Sequence, residues 1–340
     1  VMPRTMDGCI GLSTQDSMRL YVDDKLLIDG WGKDKSADQA LDFHFEAGRT
    51  YKIRIEFVND RRGARVIFGY SAGRENFPAA VEAARKADVA ILCMGDNEET
   101  SGENFDRTDL NLPGRQLELV QAVYATGTPV VLVLQSGRPV TANWENDHLP
   151  AILEAWFPGE QGGTAIAKTL FGDAAPGGRL PITFPRSVGQ IPCHYSRRPG
   201  GGKRYVEMDW LPLYPFGYGL TYTTFAYRDM ALSRSVIDPQ DTVTVSVTVT
   251  NTGKYTGDAV PQLYVRDMFS SVVKPERQLA AFRRLTLAPG ESRRVELTVG
   301  PKQLRTLGPD YVWRVEPGKF ELQLGDNAEN ILLRADLTVE

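Results

Sequence analysis

Cysteine is too sparse here to build the fold. The three residues, Cys9, Cys93 and Cys193, are scattered and odd in number, and their spacing is not that of a metal site. No disulfide is expected, and Cys93 reads as a small apolar residue inside a buried strand. Histidine is equally scarce: His44 and His148 have no neighbouring ligands that would make a cluster, so no metal is expected. No apolar run approaches the roughly 18 residues of a membrane helix, so no membrane partner is expected. A net charge of −4 supplies no basic field, so nucleic acid is not expected as a partner either. Glu160-Gln161-Gly162-Gly163 is glycine-rich but lacks phosphate-loop spacing, and no cofactor is expected. What remains is ordinary globular composition, 42% hydrophobic and 24% charged, in 340 residues, a length that suits two or three domains.

Residues 1 to 74 read as all-β. Leu20-Tyr21-Val22 and Leu26-Leu27-Ile28 flank Asp23-Asp24-Lys25, a tight hairpin with acidic turn residues, which accounts for Asp23 and Asp24 without calcium. Tyr51 to Phe57 alternates apolar and charged residues, and Arg65 to Tyr70 supplies another strand. The chain enters sheet sequence almost at once from Val1, so this sandwich reads as one entered partway. From Asn76 the period changes. A short helix with Pro78 in its first turn precedes the buried strand Asp88 to Met94, then helix 114–125, strand Pro129 to Leu134, a third strand Ala151 to Trp156 and a helix from Glu160 to Phe171. Strands alternating with helices predict a doubly wound α/β sandwich with a mostly parallel sheet over 75–224, trailing into an irregular segment. From 225 to 340 the strands return at β-sandwich spacing without paired cysteines, as in a fibronectin III/Ig-like domain.

The stretch that carries chemistry runs from Cys93 to Gln116. About twenty polar, carboxylate-rich residues lie between the carboxyl end of the first parallel strand and the next helix. Ligands of open α/β sheets bind at that end, and a loop this long inside a domain is usually functional. Taken alone, it reads more readily as a solvated acidic surface loop, since charge-rich loops are usually surface.

Four ordered segments give this loop a context. Glu103-Asn104-Phe105-Asp106-Arg107 followed by Asp109-Leu110-Asn111-Leu112-Pro113-Gly114 resembles the acid/base loop of glycoside hydrolase family 3, the β-glucosidase family, often written E-G-Y-D-R…L-x-L-P. Trp156-Phe157-Pro158-Gly159-Glu160-Gln161-Gly162-Gly163 resembles its next signature. Leu170-Phe171-Gly172-Asp173 with Pro176 to Pro181 is similar to a third, and Tyr214-Pro215-Phe216-Gly217-Tyr218-Gly219-Leu220-Thr221-Tyr222 to a fourth. The opening, Asp16 to Asp23 with Ile28-Asp29-Gly30-Trp31, is similar to the later part of a PA14 domain, which interrupts the α/β domain in one branch of the family.

The resemblance implies a retaining, exo-acting hydrolase acting on a β-glucoside or oligosaccharide. It makes Glu103 the general acid, then the base. Glu98 and Glu99 are rivals for that role; Glu99, Asp106 and Arg107 are supporting residues, Asp106-Arg107 pairing to fix the loop, with Gly102 supplying the sharp turn and partial burial tuning the acid. It also implies a (β/α)₈ barrel that no segment here matches, and with it the nucleophilic aspartate. Met208-Asp209-Trp210 imitates the nucleophile's motif but lies in a loop after Gly200-Gly201-Gly202-Lys203-Arg204, not at the end of a barrel strand. The expected partners are therefore the missing amino-terminal barrel portion, a sugar substrate and, through an unpaired sheet edge, a second copy in a homodimer. No residue is assigned to substrate binding: Trp156 and Phe157 read as core, while His194, Tyr195, Arg197 and Arg198 are open between sugar contacts and packing. The alternative reading is a non-catalytic carbohydrate-binding or adhesive module.

Overall fold

The computed structural model describes residues 1–14, 17–32, 39–58, 66–71, 77–200 and 204–340. Asp16, Arg65, Asn76, the boundary between 74 and 75, and Gly201, Gly202 and Lys203 lie outside the described residues. The chain divides into two compact units, Val1–Lys86 and Ala87–Glu340.

Among the described residues, the first unit holds two antiparallel sheets of three strands and one helix. β1 (Met6–Thr14), β2 (Met18–Val22), β3 (Lys25–Asp29), β4 (Gln39–Phe45), β5 (Ile53–Phe57) and β6 (Val66–Ser71) form the orders β4-β1-β6 and β3-β2-β5, followed by α1 (Pro78–Arg85). The predicted hairpin is present: Asp23 and Asp24 have φ of 49° and 63°, the left-handed pair that a two-residue type I′ turn requires. Asp23 then accepts bonds from Lys52 N and Arg49 Nη2, each at 2.9 Å, so protein donors occupy its oxygens. Ile10, Leu12, Met18, Leu20, Val22, Ile28 and Phe45 form the core.

In the second unit, β7 (Ala90–Gly95), α2 (Gln116–Tyr124), β8 (Val130–Gln135), α3 (Asn143–His148), β9 (Ala151–Glu154) and α4 (Gly162–Leu170) build a parallel sheet in the order β7-β8-β9. The register aligns Gly95 with Gln135 and Leu134 with Glu154, so the three carboxyl ends lie side by side. The central strand β8 is buried through Val130, Leu132, Val133 and Leu134. The edge strand β7 is not: Ile91 and Cys93 are exposed. Cys93 was expected inside, but it is exposed on a strand that, among the described residues, pairs only with β8.

The rest of this unit is a β-sandwich. β10 (Phe225–Leu232), β12 (Val243–Asn251) and β17 (Ser292–Val299) form one sheet. β11 (Val236–Ile237), β21 (Ile331–Val339), β20 (Gly318–Gly325), β14 (Gln262–Asp267) and β15 (Gln278–Phe282) form the other. The pairs β13 (Gly257–Ala259) with β16 (Leu285–Leu287) and β18 (Thr306–Leu307) with β19 (Trp313–Arg314), and helix α5 (Pro301–Leu304), complete it. Alternating inward residues of both sheets, Val243, Val245, Val247, Leu263, Leu322 and Leu324 among them, make one closed core.

The irregular segment is tied to this sandwich. Arg197 pairs with Glu276 at 3.1 Å and Glu329 at 2.6 Å and lies over the Trp210 ring at 4.5 Å. The Tyr195 hydroxyl accepts from Leu279 N at 3.1 Å, and its ring stacks on Phe216. Both residues are thus engaged in packing. Asp209 caps its own turn by accepting from Leu211 N at 3.0 Å.

Candidate active site

The loop after β7 is fixed at its root by side chains the sequence reading did not single out. Gly95 has φ 136°, and a Cβ there would overlap the backbone of Gln135, so only glycine lets β7 end this close to β8. Asp96 N donates to Gln135 O at 2.9 Å, continuing the ladder by one residue. Gln116, at the start of α2, brings the far end of the loop back: its Nε2 donates to Gly95 O at 2.8 Å and its Oε1 accepts from Gly95 N at 2.7 Å.

Asp96 follows directly, its side chain fully buried. Arg107 Nη2 donates to Asp96 Oδ1 at 2.6 Å, and Arg138 Nη2 to the same oxygen at 3.2 Å. Arg138 Nε lies 2.9 Å from Oδ2 but off the line of a hydrogen bond, so that contact is purely coulombic. Both arginines also hold backbone. Arg107 donates to Thr100 O at 2.6 Å, and Arg138 donates to Leu110 O at 2.8 Å and Asn111 O at 3.0 Å. Arg107 therefore pairs with Asp96 and not with Asp106, which is exposed. The expected Asp106-Arg107 pair gives way because a buried carboxylate within reach is the stronger partner for a guanidinium than a solvated one.

Glu103 stands on the turn closed by Phe105 N donating to Gly102 O at 3.2 Å. Asn104 has φ 66°, so this is a type II turn with Glu103 at its second position and Asn104 at the left-handed third. The conformation needed beside the glutamate thus falls on Asn104, where the E-G-Y-D-R pattern has glycine, and not on Gly102. Gly102 serves differently: a Cβ there would press on the Phe105 ring at 3.1 Å. Glu103 is exposed, and the partial burial expected for it is not found, because the turn projects beyond the strand ends and no described residue covers it. Glu98 and Glu99 are also exposed; Glu99 N donates to Asn97 Oδ1 at 3.0 Å in a local turn.

One further carboxyl sits at this edge. Glu154, the last residue of β9, accepts from Trp156 N at 2.9 Å through Oε1, while Oε2 is buried without a hydrogen bond. Burial raises its pKa to about 7, the bond from Trp156 offsetting only part of that. Trp156 packs edge-on against Phe184, as a core residue would, but Phe157 is 55% exposed, its ring edge lying where a side chain on Gly137 would go. The first ring is half-buried against Phe184, while the core reading fails for the second, where the left-handed backbone at Trp156, φ 52°, turns the chain away from the sheet. A cavity of about 90 Å³ lies elsewhere, among Gln190, His194, Arg197, Tyr205, Trp210 and Glu329. No residue of 96–115 lines it.

Asp96, Arg138 and Gln116 escaped sequence reading because each works through contacts distant in the chain. The signal available was Gly95-Asp96 at a strand's carboxyl end, the place where an α/β sheet carries its functional groups.

Residues 13–222 match the model of the glycosyl hydrolase family 3 C-terminal domain, and residues 259–328 that of the fibronectin type III-like domain. A β-xylosidase of Formosa agariphila is 45% identical over 302 residues, 85% of this chain and 42% of that protein. A periplasmic β-glucosidase of Salmonella typhimurium is 42% identical over 74% of this chain and 34% of its own length. Among solved structures, a β-glucosidase of Erythrobacter marinus superposes with a TM-score of 0.74 at 41% identity, covering 77% of this chain and 36% of the other. A β-glucosidase of Kluyveromyces marxianus gives 0.74 at 27% identity over 100% of this chain and 43% of the other. The chain spans about two-fifths of the length of the proteins it matches.

Proposed function

The chain belongs to glycosyl hydrolase family 3, and from that premise we propose that it carries the acid/base half of a retaining, exo-acting β-glycosidase centre whose nucleophilic aspartate comes from a barrel outside these 340 residues. Retention needs two carboxyl groups roughly 5–5.5 Å apart, one attacking the anomeric carbon and one protonating the leaving oxygen. Glu103 is the second. The observation that carries this reading is its setting: a carboxylate on a defined turn, pinned through Arg107 to the carboxyl edge of a parallel sheet, with its own oxygens open to solvent. A general acid meeting its substrate at a boundary between two pieces of protein would be exposed when one piece is described alone. Glu99 precedes the segment closed by Arg107 and does not stand on its turn, and its backbone serves the 97–100 turn.

In the reaction so proposed, Glu103 donates its proton to the departing glycosidic oxygen, then removes one from the water that cleaves the glycosyl-enzyme. β-Glucosides and oligosaccharides ending in such a residue are the proposed substrates; the relatives' names include both β-glucosidase and β-xylosidase. The partners are the barrel portion and the sugar, with a homodimer as a further proposal resting on the open edge of β7.

The test is Glu103→Ala in the active enzyme that contains this chain. Turnover of substrates with poor leaving groups should fall about 10²–10⁴-fold, and azide should restore turnover of activated ones by intercepting the glycosyl-enzyme. Wild-type rates would remove Glu103 from the role. The isolated chain, mixed with the barrel portion, should gain hydrolysis that neither piece has alone; saturable sugar binding by the isolated chain without any such gain would favour the carbohydrate-binding reading instead.

A further inference from the structure

We propose that Asp96 is a positioning residue that holds Glu103 in register for proton transfer, an inference that rests on the acid/base reading of Glu103. The argument starts from connectivity. Arg107 grips Asp96 Oδ1 and Thr100 O with the same nitrogen, both at 2.6 Å, which closes residues 100–107 into a ring with the Glu103 turn at its apex. Arg138 grips the same carboxylate and then Leu110 O and Asn111 O, which ties the descending limb of the loop to the end of β8. Thr141 reinforces that limb: its N donates to Leu110 O at 3.0 Å, and its hydroxyl to Asn111 Oδ1 at 2.6 Å. Both limbs therefore converge on one buried carboxylate. Asp96 itself hangs from a backbone that cannot shift, since Gly95 is locked by Gln116 on one side and by the close approach of Gln135 on the other.

Charge makes the arrangement all-or-none. One carboxylate lies between two guanidinium groups whose side chains are 21% and 14% exposed. Neutralising Asp96 leaves two partly buried cations facing each other with no counter-charge, and such a pair relieves itself by releasing the more mobile member. Arg107 is that member, because it is carried by the loop while Arg138 has three backbone carbonyls to hold. Releasing Arg107 frees the ring that presents Glu103. A displacement of about 1 Å is enough to cost a proton transfer on the order of 10²-fold.

Asp96→Asn, nearly isosteric, is examined in the active enzyme beside Glu103→Ala, using kcat/KM for aryl glycosides with poor and with activated leaving groups. The expected result is a loss of about 10–100-fold on the poor leaving group, with the activated one within about threefold. Azide should raise kcat on the activated one, as for Glu103→Ala but to a smaller extent. Amide exchange over 100–107 should quicken at least about tenfold while β8 stays protected. Equal losses on both leaving groups would mark a general structural role and overturn the proposal, as would wild-type kinetics or unchanged exchange. Should Asp96→Asn not fold, Arg107→Gln, which spares the carboxylate and Arg138, must show the same split between leaving groups. If Glu103→Ala itself is silent, the acid/base reading is what has failed. If Glu103→Ala is crippled and Asp96→Asn is silent, only the positioning role has failed.

Discussion

In β12, Val243, Val245, Val247 and Val249 are all fully buried, whereas in β7 Ile91 and Cys93 stand in solvent. The two strands belong to one unit of the chain, yet their surroundings differ. β12 faces a second sheet, and the two close over a core that needs nothing further. β7 is an edge strand paired only with β8, and one of its faces has no cover among the described residues. The difference teaches where a core is closed. The sandwich closes its own core, while the parallel sheet, which carries the candidate acid, has an exposed apolar face and, among the described residues, an edge without a strand partner.

The largest stability effect should come from the closed region. Leu263 is fully buried in β14 between Ala281 and Leu324. Leu263→Ala should cost about 2–5 kcal/mol in chemical denaturation, through lost burial and a cavity that a two-sheet core collapses into poorly. A cost below about 1 kcal/mol would mean that the sandwich is looser than its packing implies and would weaken the contrast.

A smaller and opposite effect is expected at the carboxyl edge of the parallel sheet. Burial holds the folded-state pKa of Glu154 at about 7, above its ordinary value of 4.5. Between those values the folded protein keeps a proton that the unfolded chain has released. The stabilisation is complete below pH 4.5 and is lost as pH rises through about 7, staying lost above. Glu154→Gln keeps the oxygen that accepts from Trp156 N and removes the titration, so at pH 8 it should be more stable than the wild type by up to about 3 kcal/mol. At pH 5 the gain should shrink to below about 1 kcal/mol. Thermal melts of both proteins across this range decide the point, and a pH-independent difference would overturn it.

How far the sequence revealed this arrangement also divides by region. The sandwich was legible because Thr242 to Val249 alternates strictly, a pattern with one solution. The parallel strands were legible as apolar runs, but a run that is apolar on both faces does not disclose which face is covered, so Cys93 was placed inside. Helix α3 went unread because Asn143-Trp144-Glu145-Asn146-Asp147-His148 has no apolar period. At the site, Glu103 and Arg107 stood out by motif, while their geometry did not. The left-handed position fell on Asn104, and the partner of Arg107 on Asp96, eleven residues back across a strand end. Spacing along a chain says which residues belong to a loop; the bonds that hold the loop to the rest of the fold have to be seen.

The smallest expected effect is the sharpest test of what the exposed face is for. Ile91 is 44% exposed beside Val89 at 48% and has little packing to lose. Ile91→Ser should therefore shift the stability of the isolated chain by no more than about 0.5 kcal/mol. The same change removes apolar area from an edge strand, where an unpaired backbone and an apolar face together invite another chain. Sedimentation of the isolated chain should thus show self-association that weakens in Ile91→Ser while the melting temperature stays put. A fall in stability comparable to that of Leu263→Ala would mean that β7 is already covered, and the distinction between a closed sandwich and a sheet with an exposed face would collapse. Unchanged stability with unchanged association would leave the sheet open but move the contact surface away from β7.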